Sequence, residues 1–76
     1  MNIEDLEAVF LKAKDDGLDV AVEIKMPNQK ETEMIINHCS SIDNKLAYYK
    51  NAYNEDLTHK SNSDIKIVGV SSMKFF

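Results

Sequence analysis

Ser41-Ile42-Asp43-Asn44-Lys45-Leu46-Ala47-Tyr48-Tyr49-Lys50-Asn51-Ala52-Tyr53-Asn54-Glu55-Asp56-Leu57 reads as one amphipathic helix. Ile42, Leu46, Tyr49, Tyr53 and Leu57 recur at spacings of four, three, four and four, which lines them along one face of a 3.6-residue helix. Lys45, Lys50, Asn51, Asn54 and Glu55 point away from that stripe. An apolar stripe of this kind must be buried against another layer, and the segments on either side supply one.

Upstream, a first helix is expected over residues 3–16. Asn2 is its N-cap, Glu4, Asp5 and Glu7 lie at the positive end of its dipole, and Lys12 and Lys14 lie at the negative end. Ile3, Leu6, Phe10 and Ala13 form its apolar stripe, and Gly17 supplies the left-handed residue that stops it. From Leu18 the period changes to two: Leu18, Val20, Val22, Ile24 and Met26 alternate with Asp19, Ala21, Glu23 and Lys25, the mark of a half-buried strand. Pro27 ends it. A second strand is expected over Thr32–His38, with Thr32, Met34 and Ile36 on one side and Glu31, Glu33, Ile35 and Asn37 on the other. The short loop from Pro27 to Lys30 makes the two strands an antiparallel hairpin.

Ser40 and Ser41 are candidate caps for the central helix, whose last turn is expected to fray from Asn54 to Leu57 because Glu55 and Asp56 sit at its negative end. Thr58–Ser63 reads as a polar loop and Asp64–Val70 as a third strand. In that strand Gly69 permits a bulge that can turn both the Ile65/Ile67 and the Val68/Val70 pairs inward; the alternative is a strand apolar on both sides. The expected class is therefore α+β, a two-layer α-β-β-α-β sandwich in one domain, with both helices on one face of a three-stranded mixed sheet. A right-handed crossover gives strand order 2-1-3, with 1-2-3 as the alternative. One sheet face is then left bare, carrying Asp19, Ala21, Glu23, Lys25, Glu31, Glu33, Ile35 and Asn37, joined by Val68 and Val70 if no bulge intervenes.

Composition narrows the function classes. A chain of 76 residues has a small core, and with Cys39 as its one cysteine it cannot staple itself with an internal disulfide. Cys39, His38 and His59 are too few soft ligands for a closed zinc site, so self-association gains weight and a homodimer is one expectation. The net charge is −4, and all nine basic residues are lysine. Without the planar guanidinium, a phosphate- or nucleic-acid-binding surface is disfavoured. No apolar run approaches the roughly 20 residues that a membrane helix requires. The acidic start, Glu4, Asp5 and Glu7, is opposite in sign to a secretory leader, and the expectation is a cytoplasmic protein.

Candidate chemistry is sparse. His38-Cys39 contains a nucleophile and a base, but neighbours on a strand point to opposite faces, so a half-buried thiol near a helix start explains them better. Glu23, Glu31 and Glu33 can be read as a carboxylate site, yet a bare small sheet offers no cleft to perturb them, and an acidic surface that docks a basic partner is the more useful reading. Tyr49 and Tyr53 fall on the buried stripe, whereas Tyr48 lies off it as an exposed ledge suited to an interface. Phe75 and Phe76 are expected to fold back over the core edge or to form a dimer contact. There is no glycine-rich phosphate loop, serine triad, CxxC or HExxH pattern, and an enzyme is the least supported class; no catalytic, cofactor or metal residue is assigned.

The run Met26-Pro27, Met34-Ile35-Ile36-Asn37, the block from Lys45 to Leu57 and Ile65-Lys66-Ile67-Val68-Gly69 resembles small proteins encoded by temperate phages and prophages of Gram-positive bacteria. The resemblance covers most of the chain, and its specific part is Leu46-Ala47-Tyr48-Tyr49-Lys50-Asn51-Ala52-Tyr53-Asn54-Glu55-Asp56-Leu57. It implies an accessory phage protein in a bacterial cytoplasm, acting on a host or phage protein, as inhibitors of host defence do. It brings no functional residues with it. The expected partner surface is Asp19, Glu23, Glu31, Glu33, Ile35 and Tyr48. The alternative function is a small-ligand or nucleotide binder with its pocket at a homodimer seam.

Overall fold

The computed structural model describes residues 1–74. The expectations for Phe75 and Phe76 lie outside the described residues. The first helix, α1 (Ile3–Asp16), follows the sequence closely. Asn2 closes a capping box: its side-chain oxygen accepts from the Asp5 amide at 3.0 Å, and its own amide donates to the Asp5 carboxylate at 2.8 Å. Gly17 ends the helix in the left-handed region at φ 68°, where a Cβ would be strained.

Next come β1 (Asp19–Lys25), β2 (Glu33–Asn37), a 3-10 turn (Cys39–Ser41), α2 (Ile42–Ala52) and β3 (Lys66–Met73). The three strands form one sheet in the order β2-β1-β3, with β1 antiparallel to both neighbours. The fold is α+β. The expected mixed sheet is corrected here: β2 and β3 do run the same way, but the central β1 separates them, so both ladders are antiparallel.

The central helix is shorter than its apolar stripe suggests. It stops at Ala52, and Tyr53 leaves it in extended conformation to bridge His59. The 53–58 segment forms a turn in which the amide of Leu57 donates to the Asn54 carbonyl and that of Asn54 to the Thr58 carbonyl. Asp56 accepts from both the amide and the hydroxyl of Thr58, and those bonds hold its carboxyl below the usual range. Acidic side chains disfavour the negative end of a helix, and here they find donors in a turn instead. Leu57 sits at φ 71°, a strained setting for a branched side chain, and burial of that side chain in the core offsets the strain. Ser41 stands at the N-cap but makes no side-chain cap bond; the Asp19 carboxylate caps the 3-10 turn instead, accepting from the Cys39 amide at 2.8 Å.

One hydrophobic cluster joins Leu6, Phe10 and Ala13 of α1, Val20, Val22 and Ile24 of β1, Ile42, Leu46 and Tyr49 of α2, the following Tyr53 and Leu57, and Ile67 of β3. The helices run antiparallel, since Lys14 pairs with Asp43 at 2.9 Å at one end and Lys50 with Glu7 at 2.7 Å at the other. These exposed pairs orient the helices more than they stabilise them.

The register decides which side chains share a face, because residues paired across a ladder lie on the same side. Val20, Val22 and Ile24 pair with Asn37, Ile35 and Glu33. On the other face, Ala21 and Glu23 pair with Ile36 and Met34. This inverts β2 relative to the sequence-based expectation: Glu33, Ile35 and Asn37 share the side of Val20, Val22 and Ile24, while Met34 and Ile36 lie on the opposite side with Ala21 and Glu23. A one-residue difference in register flips every side chain of a strand. The inverted register is also the one in which Asn37 is fully buried and its amide is used. Nδ2 donates to the Val20 carbonyl at 3.1 Å and to that of Ile35 at 3.3 Å, and Oδ1 accepts from the Tyr49 hydroxyl at 3.3 Å.

In β3 the expected bulge is present: Gly69 pairs with Glu23 and Ile67 with Ile24, so one extra residue is accommodated. It brings Ile67 and Val70 to the core side but leaves Val68 exposed. A Cβ on Gly69 would lie 3.0 Å from Glu23 Oε1, so the bulge also gives that carboxylate room.

Candidate functional site

The bare acidic face does not form as the sequence suggested. Asp19 is a positioning group of the fold: besides capping the 3-10 turn it lies 3.5 Å from His38 Nδ1, and its side chain is only 15% exposed. Glu23 lies on the opposite face, with Met34, and accepts from the Thr32 hydroxyl at 2.5 Å. Lys25 and Lys66 pair across the same face and Met34, Ile36 and Met73 are exposed along the sheet, so that face is mixed rather than acidic. Glu31 is exposed in the hairpin loop.

The other three candidates, Glu33, Ile35 and Tyr48, come together around one cleft of about 210 Å³. Its walls are Ile24 and Met26 from the end of β1, Glu33 and Ile35 from β2, Tyr48, Tyr49 and Tyr53 from α2 and its exit, and His59 and Ile65 from the following loop. The inverted register of β2 produces this convergence, because it places Glu33 and Ile35 on the same side as Ile24 and away from Glu23. The early end of α2 contributes the other wall, since the chain turns back at residues 53–59 and brings His59 beside Tyr53.

The aromatic rings form a continuous series. Phe10 and Tyr49 meet edge to face at 5.7 Å, Tyr49 meets Tyr48 at 5.2 Å and Tyr53 at 5.9 Å, and Tyr53 meets His59 at 5.0 Å. Tyr49 and Tyr53 are buried core residues, as their place on the stripe predicts, whereas Tyr48 is 53% exposed at the rim. Burial raises the Tyr49 phenol above its ordinary value of 10.0, and the Asn37 hydrogen bond opposes that shift. Burial likewise raises Tyr53, with smaller contributions from Tyr48 and Tyr49. Both phenols are thus neutral, apolar-facing rings near neutral pH. His59 Nδ1 accepts from the Ser61 amide at 3.0 Å, which places the proton of the neutral ring on Nε2.

Sequence reasoning named His59, Tyr53, Met26 and Ile65 only as a spare soft ligand, a stripe residue and two strand residues, and did not place them at the contact surface. The available signal was the polar turn Asn54-Glu55-Asp56, which reverses the chain and folds His59 onto Tyr53. A larger hollow of about 340 Å³ lies beneath the hairpin loop, between Lys25, Met26, Pro27, Asn28, Gln29 and Asp64. Loop residues of mixed chemistry form it, and it gathers none of the candidate residues.

Among the described residues no group of three or more His, Cys, Asp or Glu side chains is placed to hold a metal ion, and no helix is long and apolar enough to cross a membrane. The chain matches no known family model, no curated protein and no solved structure. The cleft can therefore be judged only by its own chemistry: an aliphatic floor, an aromatic wall and one carboxylate at the rim.

Proposed function

We propose that this chain is a small non-enzymatic protein–protein interaction module and that the Glu33–Ile35–Tyr48 cleft is its contact surface. The observation that carries the reading is the convergence of an exposed tyrosine, an exposed isoleucine and a carboxylate on one apolar cleft. Partly exposed aromatic and aliphatic side chains with a polar rim are the composition of an interface centre. The resemblance to small phage and prophage proteins adds a context for such a module, an accessory protein acting on a host or phage protein in the bacterial cytoplasm. We further infer a two-layer arrangement with both helices on one side of the sheet. Supporting it, the stripes of α1 and α2 share one cluster with Val20, Val22 and Ile24, the alternate residues of β1.

The test is position-specific photocrosslinking in a host lysate. A crosslinking residue at Ile35 should capture a discrete partner that Tyr48→Ala abolishes, while the same residue at Leu11, exposed on α1, should not. Equal capture at both positions, or capture indifferent to Tyr48→Ala, would sink the reading. A reproducible rise in Tm with nucleotides or metabolites would favour the small-ligand alternative.

A further inference from the structure

We infer that the cleft receives a cationic side chain, lysine or arginine, from its partner polypeptide; this rests on the interaction-module reading above and names the chemistry of the partner. The floor, Ile24, Ile35 and Ile65, is aliphatic and suits the methylene stem of a long side chain. Beside it Tyr48, 53% exposed, supplies an aromatic ring that a cation can approach. Glu33 lies at the rim, and among the described residues no lysine lines the cleft.

Other occupants fit less well. An anionic group would meet Glu33 and a chain of net charge −4. A purely apolar group would cover the Glu33 carboxylate without giving it a partner, which costs desolvation energy with no return. His59 Nδ1 is engaged as an acceptor by the Ser61 amide, and no ion pair joins His59 to Glu33 among the described residues. A lysine or arginine satisfies all three features at once: stem on the floor, charge against the exposed Tyr48 ring, hydrogen bond to the carboxylate. The net negative charge also speeds encounter with a basic segment.

The experiment is a titration of the isotope-labelled full chain, followed by amide chemical shifts, with the peptides acetyl-Gly-Ser-Lys-Ser-Gly-amide and its arginine, norleucine and glutamate analogues. The lysine and arginine peptides should give saturable shifts centred on Glu33, Ile35, Tyr48 and His59. The norleucine peptide, which keeps the stem and lacks the charge, should bind several-fold more weakly, and the glutamate peptide should not bind. Glu33→Gln and Tyr48→Ala should each weaken the lysine peptide by about two- to fivefold, and Glu33→Gln, at an exposed position, should leave the urea midpoint in place.

Norleucine binding as tight as lysine, shifts centred elsewhere, or no shift up to about 20 mM peptide would overturn the inference. Specific crosslinking at Ile35 together with such a peptide result would leave the module reading standing and remove only the cationic occupant. Loss of both would remove both.

Discussion

β1 and β2 are the two arms of one hairpin, yet their side chains meet very different surroundings. Val20 and Val22 are completely buried, whereas Met34 is 58% and Ile35 37% exposed. β1 is the central strand, with a ladder on each side and the core cluster against one face. β2 is an edge strand, paired on one side only. The comparison teaches that an alternating pattern predicts a face reliably where both faces are tightly determined. On an edge strand, burial differs little between the two orientations, so a single well-satisfied polar residue can decide the register. Here that residue is Asn37, the one β2 side chain that is fully buried.

The sharpest way to break the contrast is to truncate one isoleucine in each arm. Ile24→Ala should cost about 2–5 kcal/mol through lost burial and a residual cavity, enough to unfold much of a marginal domain, while Ile36→Ala should cost less than about 1 kcal/mol. Urea denaturation midpoints would read the difference; equal costs would mean that β2 is a second core strand and that its open side is covered.

Asn37→Ala should cost about 1–3 kcal/mol, because the Val20 carbonyl and the Tyr49 hydroxyl lose their partner inside the core. Adding Tyr49→Phe should cost less in that background than in the native chain, since the hydroxyl has already lost its acceptor. Additive effects in the double-mutant cycle would show that the two residues are not coupled.

A smaller effect comes from the same pair at alkaline pH. The folded Tyr49 phenol is raised above its unfolded value near 10.0, so the unfolded chain releases that proton first. The stability it contributes is intact below that value and is lost as pH rises through the folded one. Tyr53, raised in the same direction, adds to the loss. The urea midpoint should therefore fall as pH is taken above 10.0, and Tyr49→Phe should make the fall shallower. An identical slope in the variant would dissociate Tyr49 from the alkaline transition.

The smallest effect is expected at the bulge opposite β1. Gly69→Ala should cost about 1 kcal/mol or less, because the atom in the way, Glu23 Oε1, is the end of a flexible side chain that can move at the expense of its Thr32 bond. Glu23→Ala should relieve most of that cost. A large loss that Glu23→Ala does not rescue would mean that Gly69 is needed for backbone conformation instead.

Much of this fold was legible residue by residue. The Asn2 cap, the Gly17 stop, the alternation of β1 and the Gly69 bulge are local features whose physics acts within a few residues, and each is present. The end of α2 was harder to read, because Tyr53 and Leu57 continue the helical stripe. Their burial is satisfied by an extended exit and a turn that also place Tyr53 beside His59. Of the six candidate contact residues, Glu33, Ile35 and Tyr48 meet at the cleft, while Asp19 caps a turn, Glu23 rests on the opposite face and Glu31 lies in the hairpin loop. Grouping all six on one surface requires a register in which Glu33 and Glu23 share a side, and the observed pairing of Glu23 with Met34 excludes it.

What the amino-acid order determined by itself was the set of elements, the α+β class and the inward stripe of each helix; between strand orders 2-1-3 and 1-2-3 the tertiary structure chose the first. Periodicity, caps and breakers are short-range and compete with little else. Only the tertiary structure decided which side of β2 faces inward, where α2 yields to a turn, and hence that a tyrosine, an isoleucine and a glutamate share a cleft with His59. Those choices depend on long-range pairing: an amide satisfied across the hairpin by Val20 and across the core by Tyr49 outweighs a local apolar pattern that an edge strand can leave exposed.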